Sequence, residues 1–226
     1  MNATHLLRNE RESITELLGS LSPEEWQAST LCEGWTVLDL AAHMVAREDK
    51  PLKYLAGAVT SGKIGPDPQA ALRRARSRGP QSLLRALRGG PPLIYRLPGP
   101  SAIGNLVENW IHNEDLRRGG LNRPRVTPPE TQQALWNTLH VLGRMMLRNV
   151  RTSGIVALAR PNGKAMAFRV GNAMPRKAEP AEASARIVGE PGELVLFLLG
   201  RKQAAQVTFE GDPALIEALR SAEMKI

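Results

Sequence analysis

Apolar residues recur at helical spacing through the first two thirds of the chain, then give way to alternation. Leu7, Ile14, Leu17, Leu18 and Leu21 share one face, which predicts a helix over 4–20. Leu40, Ala41, Met44 and Val45 predict a second over 36–49, opened by Thr36 with Asp39 in its first turn. Ile103, Leu106, Val107, Trp110 and Ile111 form the stripe of a third, over 101–118, ended by Gly119-Gly120. A fourth runs over 128–150 with Leu135, Leu139, Leu142, Met145, Met146 and Val150 inside and His140 off the stripe. Its expected start is a capping box, Thr127-Pro128-Pro129-Glu130. A similar box at Ser22-Pro23-Glu24-Glu25 opens a short turn carrying Trp26.

The segment 50–100 is less regular. Asp67-Pro68 caps an Arg-rich helix to about Arg78, Pro80 restarts a short one to about Arg88, and GGPPLIYRLPGP is a breaker-dense loop. Beyond Thr152 the pattern becomes strand-like. Residues 154–160 and 165–170 predict a hairpin around Asn162-Gly163. A loop is expected over 171–180, strands over 183–188 and 206–210, a short apolar helix over 191–199, and a last helix capped by Asp212. Four long helices followed by this mixture predict an α+β protein, a four-helix bundle over 1–152 and a small α+β domain over 153–226.

Charge and composition narrow the function classes. The formal net charge is +8, and the segment 73–88 holds six arginines and no acid. Such a run is either a solvated helix face or an attractor for an anionic partner. Nucleic acid is disfavoured, because no aromatic residues interleave for base stacking. No apolar run approaches the ~20 residues of a membrane span, and the first residues lack a signal-peptide layout. Cys32 is the one cysteine, so neither an intramolecular disulfide nor a thiolate cluster is available. A cytoplasmic protein, monomer or homodimer, is the expectation.

The candidate chemistry sits on the third helix. Glu108 and His112 are four residues apart, hence on one face, and can converge on one divalent ion. The same spacing also makes an ordinary solvated pair. A third ligand must come from elsewhere, and His43 on the second helix is the best candidate. Asp115 follows on the same stripe. The donor set suits Zn, Ni, Fe or Mn better than Cu(I).

Three segments together resemble a known family. Thr30-Leu31-Cys32-Glu33-Gly34-Trp35-Thr36-Val37 through Asp39-Leu40-Ala41-Ala42-His43 is similar to the second-helix signature of the actinobacterial mycothiol-dependent maleylpyruvate isomerase family, among the DinB/YfiT-like metal-binding bundles. Glu108-Asn109-Trp110-Ile111-His112 through Asp115-Leu116-Arg117-Arg118 resembles its third-helix signature. Gly189 to Arg201, followed by a strand and Gly211-Asp212-Pro213, resembles its small sterol-carrier-protein-like domain. The resemblance implies a divalent metal, zinc foremost, on His43, Glu108 and His112, with mycothiol as the thiol cosubstrate. It further implies an electrophilic substrate, isomerase or thiol-transfer chemistry through a metal-bound thiolate, Asp115 either orienting His112 or pairing with Arg118, and Arg201 either binding a substrate carboxylate or compensating the last carbonyls of a helix end. The alternative is a metal-stabilised ligand-binding or regulatory protein without turnover. Cys32 reads as packed rather than nucleophilic.

Overall fold

The computed structural model describes residues 3–48, 68–90, 100–171 and 173–224. Asp67 and most of the breaker-rich run after Gly90 lie outside the described residues. The chain divides into two compact units, Met1–Arg125 and Val126–Ile226. No described helix is long and apolar enough to cross a membrane.

The first unit is helical. It holds α1 (Ala3–Gly19), α2 (Val37–Glu48), α3 (Pro68–Arg76), α4 (Pro80–Arg88) and α5 (Pro100–Arg118). Ile14, Leu17 and Leu18 of α1, Leu40 and Val45 of α2, Leu83 and Leu87 of α4, and Leu116 of α5 close one core. Two reciprocal boxes set chain entry. Ser22 N donates to Glu25 Oε2 (2.8 Å) and Glu25 N to Ser22 Oγ (3.3 Å), ahead of a 3-10 turn at Glu25–Gln27. Thr36 N donates to Asp39 Oδ2 (3.0 Å) and Asp39 N to Thr36 Oγ1 (3.2 Å), which starts α2. Ile103, expected inside, is 46% exposed. It lies in the first turns of α5, upstream of the segment that α1 covers.

The second unit packs α6 (Pro129–Met146) and α7 (Pro191–Leu198) with a five-stranded sheet of order β3-β2-β1-β4-β5, and ends with α8 (Pro213–Ser221). The strands are β1 (Gly154–Ala159), β2 (Ala165–Val170), β3 (Arg176–Ala178), β4 (Ala185–Val188) and β5 (Thr208–Gly211). The hairpin β1-β2 forms around Asn162-Gly163 as expected, with Gly163 at φ +85° and Gly163 N donating to Arg160 O (2.9 Å). Among the described residues the one parallel pairing is that of β1 with β4.

Three details depart from the sequence reading. The fourth long helix begins at Pro129, and its cap falls on Pro128, one residue beyond Thr127, which offers no side-chain bond. Met145, expected inside, is 40% exposed, because the helix turns Met146 and Leu147 inward instead. Residues 176–178, expected in a loop, pair with β2 as an edge strand. Asp212 does cap α8, accepting from Leu215 N at 2.9 Å.

Candidate metal centre

Helix α5 carries an unusual run. Asn109, His112, Asn113, Glu114 and Asp115 are all buried along this helix. Buried polar groups need partners, and these divide into two sets by face.

The first set is structural. Glu114 is fully buried and accepts from Arg118 Nε (2.6 Å) and Arg125 Nε (2.8 Å). Arg125 also reaches Glu10 of α1 (2.6 Å), and Glu10 accepts from Asn113 Nδ2 (3.0 Å). Asn113 accepts from Arg117 Nε at 2.9 Å, and Arg117 also donates to Ser13 Oγ at 3.1 Å. This network joins α1, α5 and the segment after α5. It fixes the rotation of α5 about its own axis. Nothing in the local pattern of residues 108–118 announces it, because its partners lie about a hundred positions away in the chain.

The second set is the candidate centre. Glu108 Oε2 and His112 Nε2 stand 3.1 Å apart, one helical turn separating their residues. His43, half-buried on α2, brings its ring to 5.3 Å from that of His112, edge to face. Trp35 packs on the other side of His43 at 5.1 Å. His112 Nδ1 bonds Asp115 Oδ2 at 3.1 Å, and Cys32 Sγ donates to the same Asp115 oxygen at 3.2 Å. Arg47 Nη1 lies 3.2 Å from Glu108 Oε2.

A loop sets these distances. Ser29 and Thr36 form a bridge, and Thr30 N donates to Trp35 O at 3.0 Å, so residues 29–36 close on themselves. Leu31 N then donates to Asp115 O (3.1 Å) and Gly120 N to Ser29 O (2.7 Å), which seats the loop against the end of α5. Gly119 permits that approach. A Cβ there would meet Ser29 O and Thr30 Cα at 2.6 Å, both backbone atoms that cannot swing aside. The loop thereby delivers Cys32 to Asp115 and Trp35 to His43.

The electrostatics separate the two histidines. Burial pulls His43 down to about 4, reinforced by the charges of His112 and Arg47, so its imidazole is neutral at physiological pH. Burial also opposes ionisation of Glu108, but the His112 hydrogen bond and the Arg47 charge outweigh it and hold the carboxyl at about 2. Burial would lower His112 too. Hydrogen bonds to Asp115, Cys32 and Glu108 reverse this and raise it to about 10. A proton therefore sits on His112 between two carboxylates.

Two donor sets share His112. On the Nδ1 side, ligand atoms of Cys32, His112 and Asp115 lie within 4.8 Å of one another. On the Nε2 side are Glu108 and the neighbouring His43 ring. Metal-ligating histidines usually donate their second nitrogen to a carboxylate, and Asp115 has that position. On the Nε2 side Glu108 offers a carboxylate and His43 a neutral imidazole, donor types that a divalent cation takes, while the three donor atoms that converge within 4.8 Å among the described residues are those of Cys32, His112 and Asp115. A cavity is lined by Glu108 and His112 with Arg11, Met44, Arg47 and Asn109 among others. Arg201 lies in the second unit, where its Nη1 donates to Leu199 O at 2.7 Å.

No curated protein matches the chain in sequence. Residues 7–96 match the family model described as the mycothiol maleylpyruvate isomerase N-terminal domain. A crystal structure of the mycothiol-dependent maleylpyruvate isomerase with one histidine replaced by alanine is similar in fold, with a TM-score of 0.58 and 18% identity over 92% of this chain and 91% of that one. A second crystal structure of that isomerase gives 0.54 and 16% over the same shares. The chain is therefore similar to the mycothiol maleylpyruvate isomerase family by a domain match over residues 7–96, which takes in the second-helix signature, and by a shared fold over most of its length.

Proposed function

We propose that the protein binds a divalent metal through His43, Glu108 and His112, zinc foremost, and works on a small thiol, mycothiol by family likeness, as an isomerase or thiol transferase. The observation that carries this reading is the convergence of Glu108 Oε2 and His112 Nε2 at 3.1 Å beside the His43 ring. A cation held there leaves a position open and acidifies a thiol that reaches it.

The chain's own residues do the rest. Asp115 holds the His112 ring by Nδ1 and keeps Nε2 turned to Glu108. Trp35 braces His43 from behind. Arg47 lies beside Glu108 and is suited to steer an anionic, electrophilic substrate. In the same reading Arg201 binds a substrate carboxylate. The same reading takes the helical unit, Met1–Arg125, as the DinB-like part and the sheet-bearing unit, Val126–Ile226, as the sterol-carrier-protein-like part.

The second reading is a metal-stabilised binding protein without turnover. Cobalt substitution separates the two. Under the thiol reading, adding mycothiol or a short analogue to Co(II)-loaded protein produces an intense sulfur-to-cobalt charge-transfer band. The same addition releases a proton into weak buffer, and His43→Ala loses the band. An unchanged cobalt spectrum at saturating thiol rejects the thiol reading and leaves the binding protein.

A further inference from the structure

Among the described residues of the second unit, four large apolar side chains are exposed, and three of them, Val141, Met145 and Met174, line one cleft. Val141 and Met145 stand one turn apart on α6, and Met174 lies between β2 and β3. The cleft has a volume of about 700 Å³, a size that takes a small organic molecule. Met166 and Phe168, alternate residues on one face of β2, are its buried floor. Gly143 lets α6 close on that floor, because a Cβ there would meet the Phe168 ring at 2.6 Å. The floor is therefore fixed by packing, while the mouth is open to solvent.

Charge is arranged around this apolar surface. Arg144 is exposed on α6 beside Met145. Lys177 of β3 stands opposite Phe168 in the strand register, which puts it on the same side of the sheet. Both line the cleft, and among the described residues neither side chain makes an ion pair or a hydrogen bond. Glu179 is the one acid among the lining residues, so the cations outnumber it. An ammonium ligand would meet two like charges, and an uncharged molecule would leave both cations unused. A carboxylate uses them, taking the planar guanidinium in a fork and the ammonium as a point charge. The lining also selects the body that carries the carboxylate. Thioether sulfurs make favourable contacts with aromatic rings, and Met145, Met166 and Met174 all line the cleft.

We propose that the second unit carries a binding site for an aromatic carboxylate in the cleft between α6 and the β2–β3 edge of the sheet. The site goes beyond the function proposed above and does not rest on it, since its residues belong to the second unit and the metal ligands to the first.

The test uses the full chain, stripped of metal with a chelator so that no cation competes for the carboxylate, and labelled with ¹³C at the methionine methyls. Titrating 2-naphthoate shifts the methyl signals of Met145, Met166 and Met174 saturably and leaves Met44 of the first unit in place. In calorimetry 2-naphthoate binds about tenfold more tightly than 2-naphthalenemethanol, the effect of one or two charge-assisted hydrogen bonds, and 2-naphthylmethylammonium does not bind. Arg144→Gln removes most of the preference for the acid over the alcohol. Met145→Glu, which sets a carboxylate at the open mouth, abolishes the shifts of Met166 and Met174, and His43→Ala leaves them as in the native chain. The ligand-free methyl spectrum of each variant reports that the fold is kept. No saturable shift in the native chain overturns the proposal, as does equal affinity for the acid and the alcohol. Loss of the shifts in His43→Ala overturns it by placing the ligand at the metal centre. Movement of the same three methyls on dilution without ligand overturns it by seating a second copy of the chain on this face.

Discussion

Helix α7 encloses Leu194, Val195, Leu196, Phe197 and Leu198, all apolar, whereas α5 encloses Asn109, His112, Asn113, Glu114 and Asp115 in one run. Both helices are buried, yet the chemistry they bury differs in what it demands. Apolar contacts in α7 are non-directional, so shape and volume suffice. Every polar atom on α5 needs a partner at a set distance and angle, so neighbours twenty to a hundred residues away are specified with it. A helix built like α7 holds a domain together. One built like α5 holds a set of atoms in place, at a cost that only function explains.

Volume-conserving substitutions break this comparison most sharply. Leu196→Met keeps size and apolarity and is expected to cost under ~1.5 kcal/mol. Glu114→Gln also keeps size, yet it removes the charge that the half-buried Arg118 and Arg125 share, leaving Arg125 with Glu10 alone. Its expected cost is about 3–5 kcal/mol. Urea unfolding of both variants measures the difference, and equal losses would mean that the α5 network is ordinary packing.

Metal content is the next lever. His43→Ala, Glu108→Ala and His112→Ala each lower metal stoichiometry to near zero by elemental analysis. Asp115→Asn leaves the ligands but loosens the His112 ring, and weakens affinity by about 10- to 100-fold. Stoichiometric metal in all three alanine variants would disprove the ligand set. If Cys32→Ser lowered stoichiometry as much as Glu108→Ala, the Nδ1-side donor set would be the occupied one.

A smaller effect is readable in pH. His112 is raised above its unfolded value of 6.5 to about 10. Its contribution to stability is therefore full below about pH 6.5 and is lost as pH rises through about 10. His43, lowered to about 4, acts in the opposite sense: its contribution is present above about 6.5 and is lost as pH falls toward 4. The Tm of metal-free protein is expected to fall between pH 7 and 10, and His112→Gln to flatten that slope. The smallest expected effect belongs to the surface. Val141, 62% exposed on α6, should tolerate replacement by Thr within ~0.5 kcal/mol.

The helices and the hairpin could be read from periodicity and turn chemistry because both are local. The Glu108–His112 pair was visible for the same reason, and the His112–Asp115 bond follows from i, i+3 geometry. Three things were out of reach. Glu10, Arg125 and Glu114 meet across more than a hundred residues of chain, and no spacing rule connects them. The Cys32–Asp115 contact depends on a loop seated by Gly119, whose glycine reads in sequence only as a helix terminator. Strand β3 is three residues long and polar on its exposed edge, so it carries no alternation to detect.

The two faces of α5 have a consequence for how such a chain can change over time. Glu108 and His112 look into the cavity while Asn113, Glu114, Arg117 and Arg118 serve the ion network. Each residue added to a helix turns everything beyond it by about 100°. A single insertion between His112 and Asn113 would leave every functional side chain present and point the network at the wrong neighbours. Length within this helix is therefore a tighter constraint than identity. Descendants of this sequence can trade residues on either face one at a time, but they cannot gain or lose one between the two.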